Sequence, residues 1–292
     1  MRQYFIDFMD GYNYDVEDIS ALVEAYDKIK ENSVAREIFD SIIETYNSDC
    51  NCDFAPIIEA FPKIAEAADI HEYTAAFIVF SCLTKRTREL YKTNGISDDI
   101  FVRSFFDLKY KLDTCKKVKG VRGTYVYTWY PRFYNLTRFA LGRLQYDVKP
   151  IEHDYDDGVH SLKTGDTVLG IHIPDDGTPL SPESVHDSFD RAAKFFRERI
   201  GDTPVAVCRT WLLWPEHEKF LKPTSNILRF MNEFTMIDVG TYSEHIHALT
   251  FIFDSEERNP DLLPADSTIR RAYIGMMREG KYGGWGYGIR FL

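Results

Sequence analysis

The sequence contains no long apolar run. Its nearest approach, Tyr73 to Leu83, is too short to span a bilayer. The opening stretch Met1 to Asp10 sets Asp7 and Asp10 where a secretion signal needs an unbroken apolar core. Basic runs are missing too. With 35 Lys and Arg against 46 Asp and Glu the formal charge is -11, which argues against non-specific binding to nucleic acid or to an anionic membrane. Cysteines are scattered and odd in number (Cys50, Cys52, Cys82, Cys115 and Cys208), so reduced thiols in a soluble cytoplasmic protein are expected. Only Cys50-Asn51-Cys52 brings two together, and without a second Cys/His pair at finger-like spacing no zinc site is expected there. A serine nucleophile elbow, a Walker loop and a His-Glu-x-x-His zinc motif are all absent.

At 292 residues, 44% of them hydrophobic, the chain can hold one large domain or two ordinary ones with sizeable cores. The first 120 or so residues read as helices. Val16, Ile19, Leu22, Val23, Tyr26 and Ile29 form one amphipathic stripe, and Val34, Ile38, Ile42 and Tyr46 another. Phe54 to Ala68 keeps a helical pattern that Pro62 is expected to kink or divide. Glu72 to Lys92 is the most apolar helix, and Ser97 can cap the next, which carries Phe101, Phe105, Leu108 and Leu112.

After Gly120 the character changes. Val121 to Tyr127 suits a short strand, Trp129 to Tyr134 a short helix or turn, and Leu141 to Val148 a strand with Leu144, Tyr146 and Val148 on one face. Ile151 to Thr164 reads as a loop or hairpin. Later, a helix follows Ser225, strands are expected at Met236 to Val239 and Ile246 to Phe253 as an antiparallel pair, a helix follows Ser267, and Ile289 to Leu292 ends in a strand. Gly283 to Gly288 has no helix after it and so reads as a flexible or tightly turned strand, not a nucleotide loop. Helices grouped first and mixed elements second predict an α+β chain of two domains, 1–125 and 126–292.

Thr167 to Trp214 is the most informative stretch. Val168 to Ile173 is a compact apolar run closed by Pro174, followed by turn residues Asp175 to Leu180. Ser181 offers an N-cap hydroxyl, Pro182 sits at the first helical position, Val185, Phe189, Ala192, Phe196 and Ile200 recur at helical spacing, and Gly201 supplies a stop. Pro204 then introduces the apolar strand Val205 to Leu213. Two buried strands joined by one helix predict a right-handed parallel crossover. Unpaired amides near Glu183, Ser184 and Val185 would make the helix N-terminus a place for phosphate, beside His172 at the strand end.

Leu141-Gly142-Arg143-Leu144-Gln145-Tyr146, Ile171-His172-Ile173-Pro174, the helix Ser181 to Phe196, Cys208 to Leu213 and Ser225-Asn226-Ile227 occur in order and at sensible spacing. Together they resemble the GNAT-like C-terminal domain of bacterial acyltransferases that carry a helical N-acyltransferase domain before it. The resemblance implies a sheet whose two central parallel strands splay apart. Acetyl-CoA or another acyl-CoA would enter the gap as a substrate. Ile171 and Ile173 would present backbone to its pantetheine, Gly177, Ser181 and Ser184 would hold its pyrophosphate, and Asn226 would bond it or assist Ser225 in capping. The acceptor would be an amine of a small molecule or peptide, with no metal, nucleic acid or membrane involved.

The chain departs from the family pattern at Asp175-Asp176-Gly177-Thr178-Pro179-Leu180. Two carboxylates repel a pyrophosphate and the prolines remove N–H donors, unless Arg209, Lys219, Lys222 or Arg229 offsets the charge. Arg209-Thr210 stands where the family has His-Ser before Trp211, so no histidine role carries over there. N-acyl transfer needs a neutral amine, a polarised carbonyl and a proton for the thiolate. His172 is the candidate base, set against a purely structural imidazole, and Tyr242 the candidate acid. The leading reading is a CoA-dependent N-acyltransferase. One rival is a binding or structural protein that keeps the fold after losing cofactor use, for which Asp175 and Asp176 speak. Another is a metal-dependent hydrolase on His245-Ile246-His247, for which no third ligand is evident.

Overall fold

Helices α1 (Arg2–Gly11), α2 (Val16–Glu31), α3 (Ser33–Ser48), α4 (Ala55–Ala68), α5 (Glu72–Thr93), α6 (Asp98–Lys119) and the short α7 (Pro131–Tyr134) build the first part of the chain. The computed structural model describes residues 1–201, 204–244 and 247–292, and its contacts divide them into two units, Met1–Phe139 and Ala140–Leu292. In the first unit α5 is the central rod. Every residue from Ala75 to Thr84 is buried, the pattern of a helix covered on all sides.

The caps follow the sequence. Ser97 Oγ accepts from Ile100 N at 3.4 Å, and Asn32 Oδ1 accepts from the amides of Val34 and Ala35 at 3.0 Å. The buried stripe of α3 is Ala35, Phe39, Ile42 and Tyr46, whereas Val34 is 56% exposed. That face is one step round from the expected one. Helix α4 runs through Pro62 as one element. Many core residues here are tyrosines, and two of their hydroxyls bond backbone carbonyls: Tyr134 donates to Phe80 O at 2.6 Å and Tyr46 to Tyr134 O at 2.8 Å.

Val121 to Tyr127 is not a strand. Gly123 lies against the Tyr73 backbone, where an added Cβ would sit 2.3 Å from Tyr73 C, and Thr124 N donates to Tyr73 O at 3.0 Å. The segment therefore straps the start of α5 and has no free edge to form a ladder. Residues 126–139 belong by their contacts to this first unit.

The second unit is a six-stranded sheet in the order β1-β2-β5-β6-β8-β7. Its strands are β1 (Arg138–Leu141), β2 (Leu144–Pro150), β5 (Thr167–His172), β6 (Val205–Thr210), β7 (Thr235–Thr241) and β8 (Gly284–Phe291). A hairpin of β3 (Tyr155–Asp156) and β4 (Ser161–Leu162) fills the connection from β2 to β5. Helix α8 (Pro182–Ile200) joins β5 to β6 and covers one face, where Ser188 Oγ meets Leu144 N at 3.1 Å and the Tyr146 hydroxyl at 3.0 Å. The expected crossover is present, and β5 and β6 run parallel.

Two expectations fail beyond it. Residues 247–253 form helix α10 (His247–Phe253), not a strand, and β7 pairs with β8 instead. Ala248, Leu249, Ile252 and Phe253 are buried, a helical stripe that a short apolar run does not distinguish from a strand. The glycine-rich end is an internal strand between β6 and β7. A Cβ at Gly286 would come within 2.2 Å of Leu213 O, so glycine lets the turn after β6 lie on β8. Helices α9 (Asn226–Met231) and α11 (Thr268–Arg278) complete the unit, capped by Ser225 and Ser267 as expected.

Candidate active site

The seam between β5 and β6 opens. β2 and β5 are paired at six positions, from Pro150↔Thr167 to Gln145↔His172, and β6 and β8 also at six. Between them, among the described residues, β5 and β6 are paired at Leu169↔Ala206 and Gly170↔Val207. Beyond Gly170 and Val207 no ladder joins the described residues of the two strands, so both edges of the gap carry backbone groups that a third extended chain could meet. The first such group is held by a weak donor: the Cys208 thiol lies 3.7 Å from Ile171 O. Cys208 is buried, and burial pushes its thiol pKa up, so it stays a protonated donor.

Side-chain alternation sets what flanks the gap. Leu169, Ile171 and Cys208 face α8, while Gly170, His172, Val207 and Arg209 face the other way. On that second face His172 Nε2 stands 3.0 Å from Asp147 Oδ1 of β2, with the imidazole 28% exposed and the carboxylate 2%. Gly170 makes the space for it, since a Cβ there would sit 2.3 Å from Asp147 Oδ1. Arg209 lies over the rings of Trp285 at 4.3 Å and Tyr287 at 5.0 Å and reaches Glu152 at 3.3 Å. It is engaged on this face, away from the helix N-terminus.

The helix N-terminus differs from expectation. Ser184 N donates to Ser181 Oγ at 3.3 Å, Val185 N donates to Ser181 O at 3.0 Å, and the Glu183 carboxylate folds back onto its own amide. That hydrogen bond, with one from Ser181, holds the Glu183 carboxyl below the usual glutamate range. The amides of Ser184 and Val185, expected to be unpaired, are thus satisfied within the cap. Ser184 Oγ also turns inward, to Ser181 O at 2.9 Å.

Open backbone in the loop lies earlier, around Gly177, whose φ is +72° and whose Cβ position meets nothing within 4 Å. The loop is braced by a residue that sequence reasoning did not single out. Arg143, in the turn between β1 and β2, donates to Pro174 O at 2.9 Å and Thr178 O at 3.3 Å, and pairs with Asp176 at 3.3 Å. Both side chains of that pair are largely buried, at 9% and 15% exposed. Asp176 is therefore turned inward and neutralised, and only Asp175 faces out. Arg229, exposed on α9, acts on Glu183 through its charge. Lys219 is taken by Glu216.

Tyr242 follows β7 at the same end of the sheet as His172, with Tyr242 N bonded to Gly283 O at 3.0 Å. Burial raises its hydroxyl pKa, against a lowering by Arg209. The strand it follows, β7, is third from β5 in the sheet order. Asn226 is the first residue of α9, beside the cap Ser225, whose Oγ accepts from Leu228 N at 3.3 Å. His245 and the His247 side chain lie outside the described residues. Among those described, no group of three or more His, Cys, Asp or Glu could hold a metal, and no helix is long and apolar enough to cross a membrane. A cavity of about 540 Å³ lies elsewhere, in the first unit between α3 and α4, lined by Ile38, Ile42, Pro56 and Ile57 among others.

The family model for a GNAT-like C-terminal domain matches residues 138–290, and that for an N-acyltransferase N-terminal domain matches residues 4–136. The chain belongs to this two-domain N-acyltransferase family. Similar solved structures include an acyltransferase in complex with decanoyl-CoA and teicoplanin, 20% identical, with a TM-score of 0.76 over 98% of this chain and 87% of that one. An acyltransferase mutant in complex with octanoyl-CoA is also 20% identical, with a TM-score of 0.77 over the same shares. No curated protein matches the chain. For this member of the family the likeness extends through both units, and the open seam sits in the GNAT-like domain.

Proposed function

We propose that the protein transfers an acyl group from acyl-CoA to an amine, and that the donor enters between β5 and β6. The observation that carries this is the seam itself, paired at two positions and then open. Pantetheine is an extended chain with two amides. The carbonyls of Ile171 and Ile173 accept from them, the first by displacing the Cys208 thiol, a weaker donor. The pyrophosphate lies against the Gly177 turn and the start of α8, with Ser181 and Ser184 at its edge, Arg229 as its cation and Asn226 nearby. Asp175 opposes it, and the Arg143 brace keeps Asp176 from doing so as well.

His172 is the general base. It takes a proton from the amine nitrogen as that nitrogen attacks the thioester carbonyl; collapse of the tetrahedral intermediate forms the amide and releases CoA thiolate, which is protonated to the thiol. Tyr242 is given no step in this scheme. The solved neighbours were captured with octanoyl-CoA, decanoyl-CoA and teicoplanin, a peptide-derived acceptor, so medium-chain donors belong beside acetyl-CoA and peptide amines beside small ones. A panel of acetyl-, octanoyl- and decanoyl-CoA against primary amines and amine-bearing peptides, read by release of free thiol, tests the reaction class. Acceptor-dependent thiol release supports it. A protein that binds none of the donors at millimolar concentration returns the case to a fold that has lost cofactor use.

A further inference from the structure

We infer that Asp147 is the positioning residue of this site, fixing the tautomer and orientation of His172, and that Gly170 is glycine in order to admit its carboxylate. The inference rests on the reading of His172 as base. Asp147 projects from β2 two residues beyond Gln145, the register partner of His172, and Asp147 itself is opposite Gly170. Its side chain is 2% exposed, a costly place for a carboxylate unless a cation or donor answers it. The imidazole answers it at 3.0 Å. With Nε2 turned toward the carboxylate, Asp147 sets which face of the ring the amine meets, and the imidazole is 28% exposed. A side chain on residue 170 would collide with Asp147 Oδ1 at 2.3 Å and with Lys149 Cδ at 2.9 Å, so the carboxylate and the missing side chain form one arrangement.

Other charged groups share the face. Lys149 pairs with Glu152 at 2.6 Å, Arg209 reaches Glu152 at 3.3 Å, and Arg209 and Asp238 flank His153 at 3.3 and 3.9 Å. They answer one another, and Asp147 is the carboxylate that stands 3.0 Å from the His172 imidazole. Removing that charge favours neutral imidazole, so the base becomes competent at lower pH.

The test uses Asp147→Asn and Gly170→Ala in the full chain, the second displacing the carboxylate without replacing it. The His172 ring resonance, assigned by its loss in His172→Ala, is followed by NMR through a pH titration. The midpoint is expected to fall by about 1 to 2 pH units in both variants. With a donor and acceptor from the panel, the acid limb of the kcat/KM profile moves down with it and kcat drops about 10- to 100-fold at unchanged KM, part of what a general base contributes. An unchanged midpoint in a folded variant overturns the inference even if the wild type transfers acyl groups. A shifted midpoint in the variants, with a wild type that shows no turnover, keeps the pairing and removes the reaction.

Discussion

Along its edge with β2, strand β5 is paired at six consecutive positions, whereas along its edge with β6 it is paired at two. The first seam is closed by more than its ladder: Ser188 of α8 ties Leu144 N and the Tyr146 hydroxyl together behind it, and Tyr146 meets the Phe196 ring at 6.4 Å. The second is spanned past Val207 by one thiol-to-carbonyl contact. A strand with one stitched edge and one loose edge is a rigid wall beside a slot. On the proposed reading the paired side of β5 supplies stability and the open side chemistry, with His172 joined to both, since Asp147 of β2 stands 3.0 Å from it.

Changes at the two seams should therefore separate stability from chemistry. The largest effect is expected from His172→Ala, which should cut turnover about 10²- to 10⁴-fold while acyl-CoA affinity and unfolding midpoint stay close to wild type, measured by steady-state kinetics and calorimetry. An unchanged rate would break the assignment of chemistry to the loose edge.

Acidification should act on the packed part of the unit. His217 is buried beside Tyr273, and desolvation lowers its pKa to about 4 from 6.5. Between those values the unfolded chain binds a proton that the folded one does not, so stability is full above pH 6.5 and is lost as pH falls toward 4, by about 1.4 kcal/mol per pH unit at most. Urea unfolding at a series of pH values should show this slope in the wild type and its reduction in His217→Gln. On the stitched seam, Ser188→Ala leaves buried partners unmet and should cost roughly 1–3 kcal/mol of stability with no change in acyl-CoA affinity. Arg229→Ala should do the reverse on the smallest scale, weakening acyl-CoA binding by about 1 kcal/mol, less at high salt, with stability unchanged.

Much of this fold was legible because its signals are local. Ser181, Pro182 and Gly201 bound α8 as read, the stripe through Val185, Phe189, Ala192 and Phe196 is buried, and the parallel crossover follows. Signals that depend on distant partners were not. Arg143 acts on carbonyls 31 and 35 residues away, and nothing near it in sequence announces that. Asp147 sits on the face of β2 opposite Leu144, Tyr146 and Val148, which alternation alone assigns to solvent. Its burial is visible only once Gly170 is placed beside it. The amides of Ser184 and Val185 read as available because Ser181, a cap in sequence, answers both of them in the fold. The glycines of β8 read as slack, yet Gly286 is required by the close passage of Leu213.

The most direct measurement is hydrogen exchange of the full chain with and without octanoyl-CoA. Slowed exchange confined to residues 171–178 and 208–210, with residues 145–150 unaffected, is the result expected if the donor occupies the seam between β5 and β6. Slowed exchange centred on residues 37–60, around the cavity of the first unit, or none at saturating donor, would contradict it.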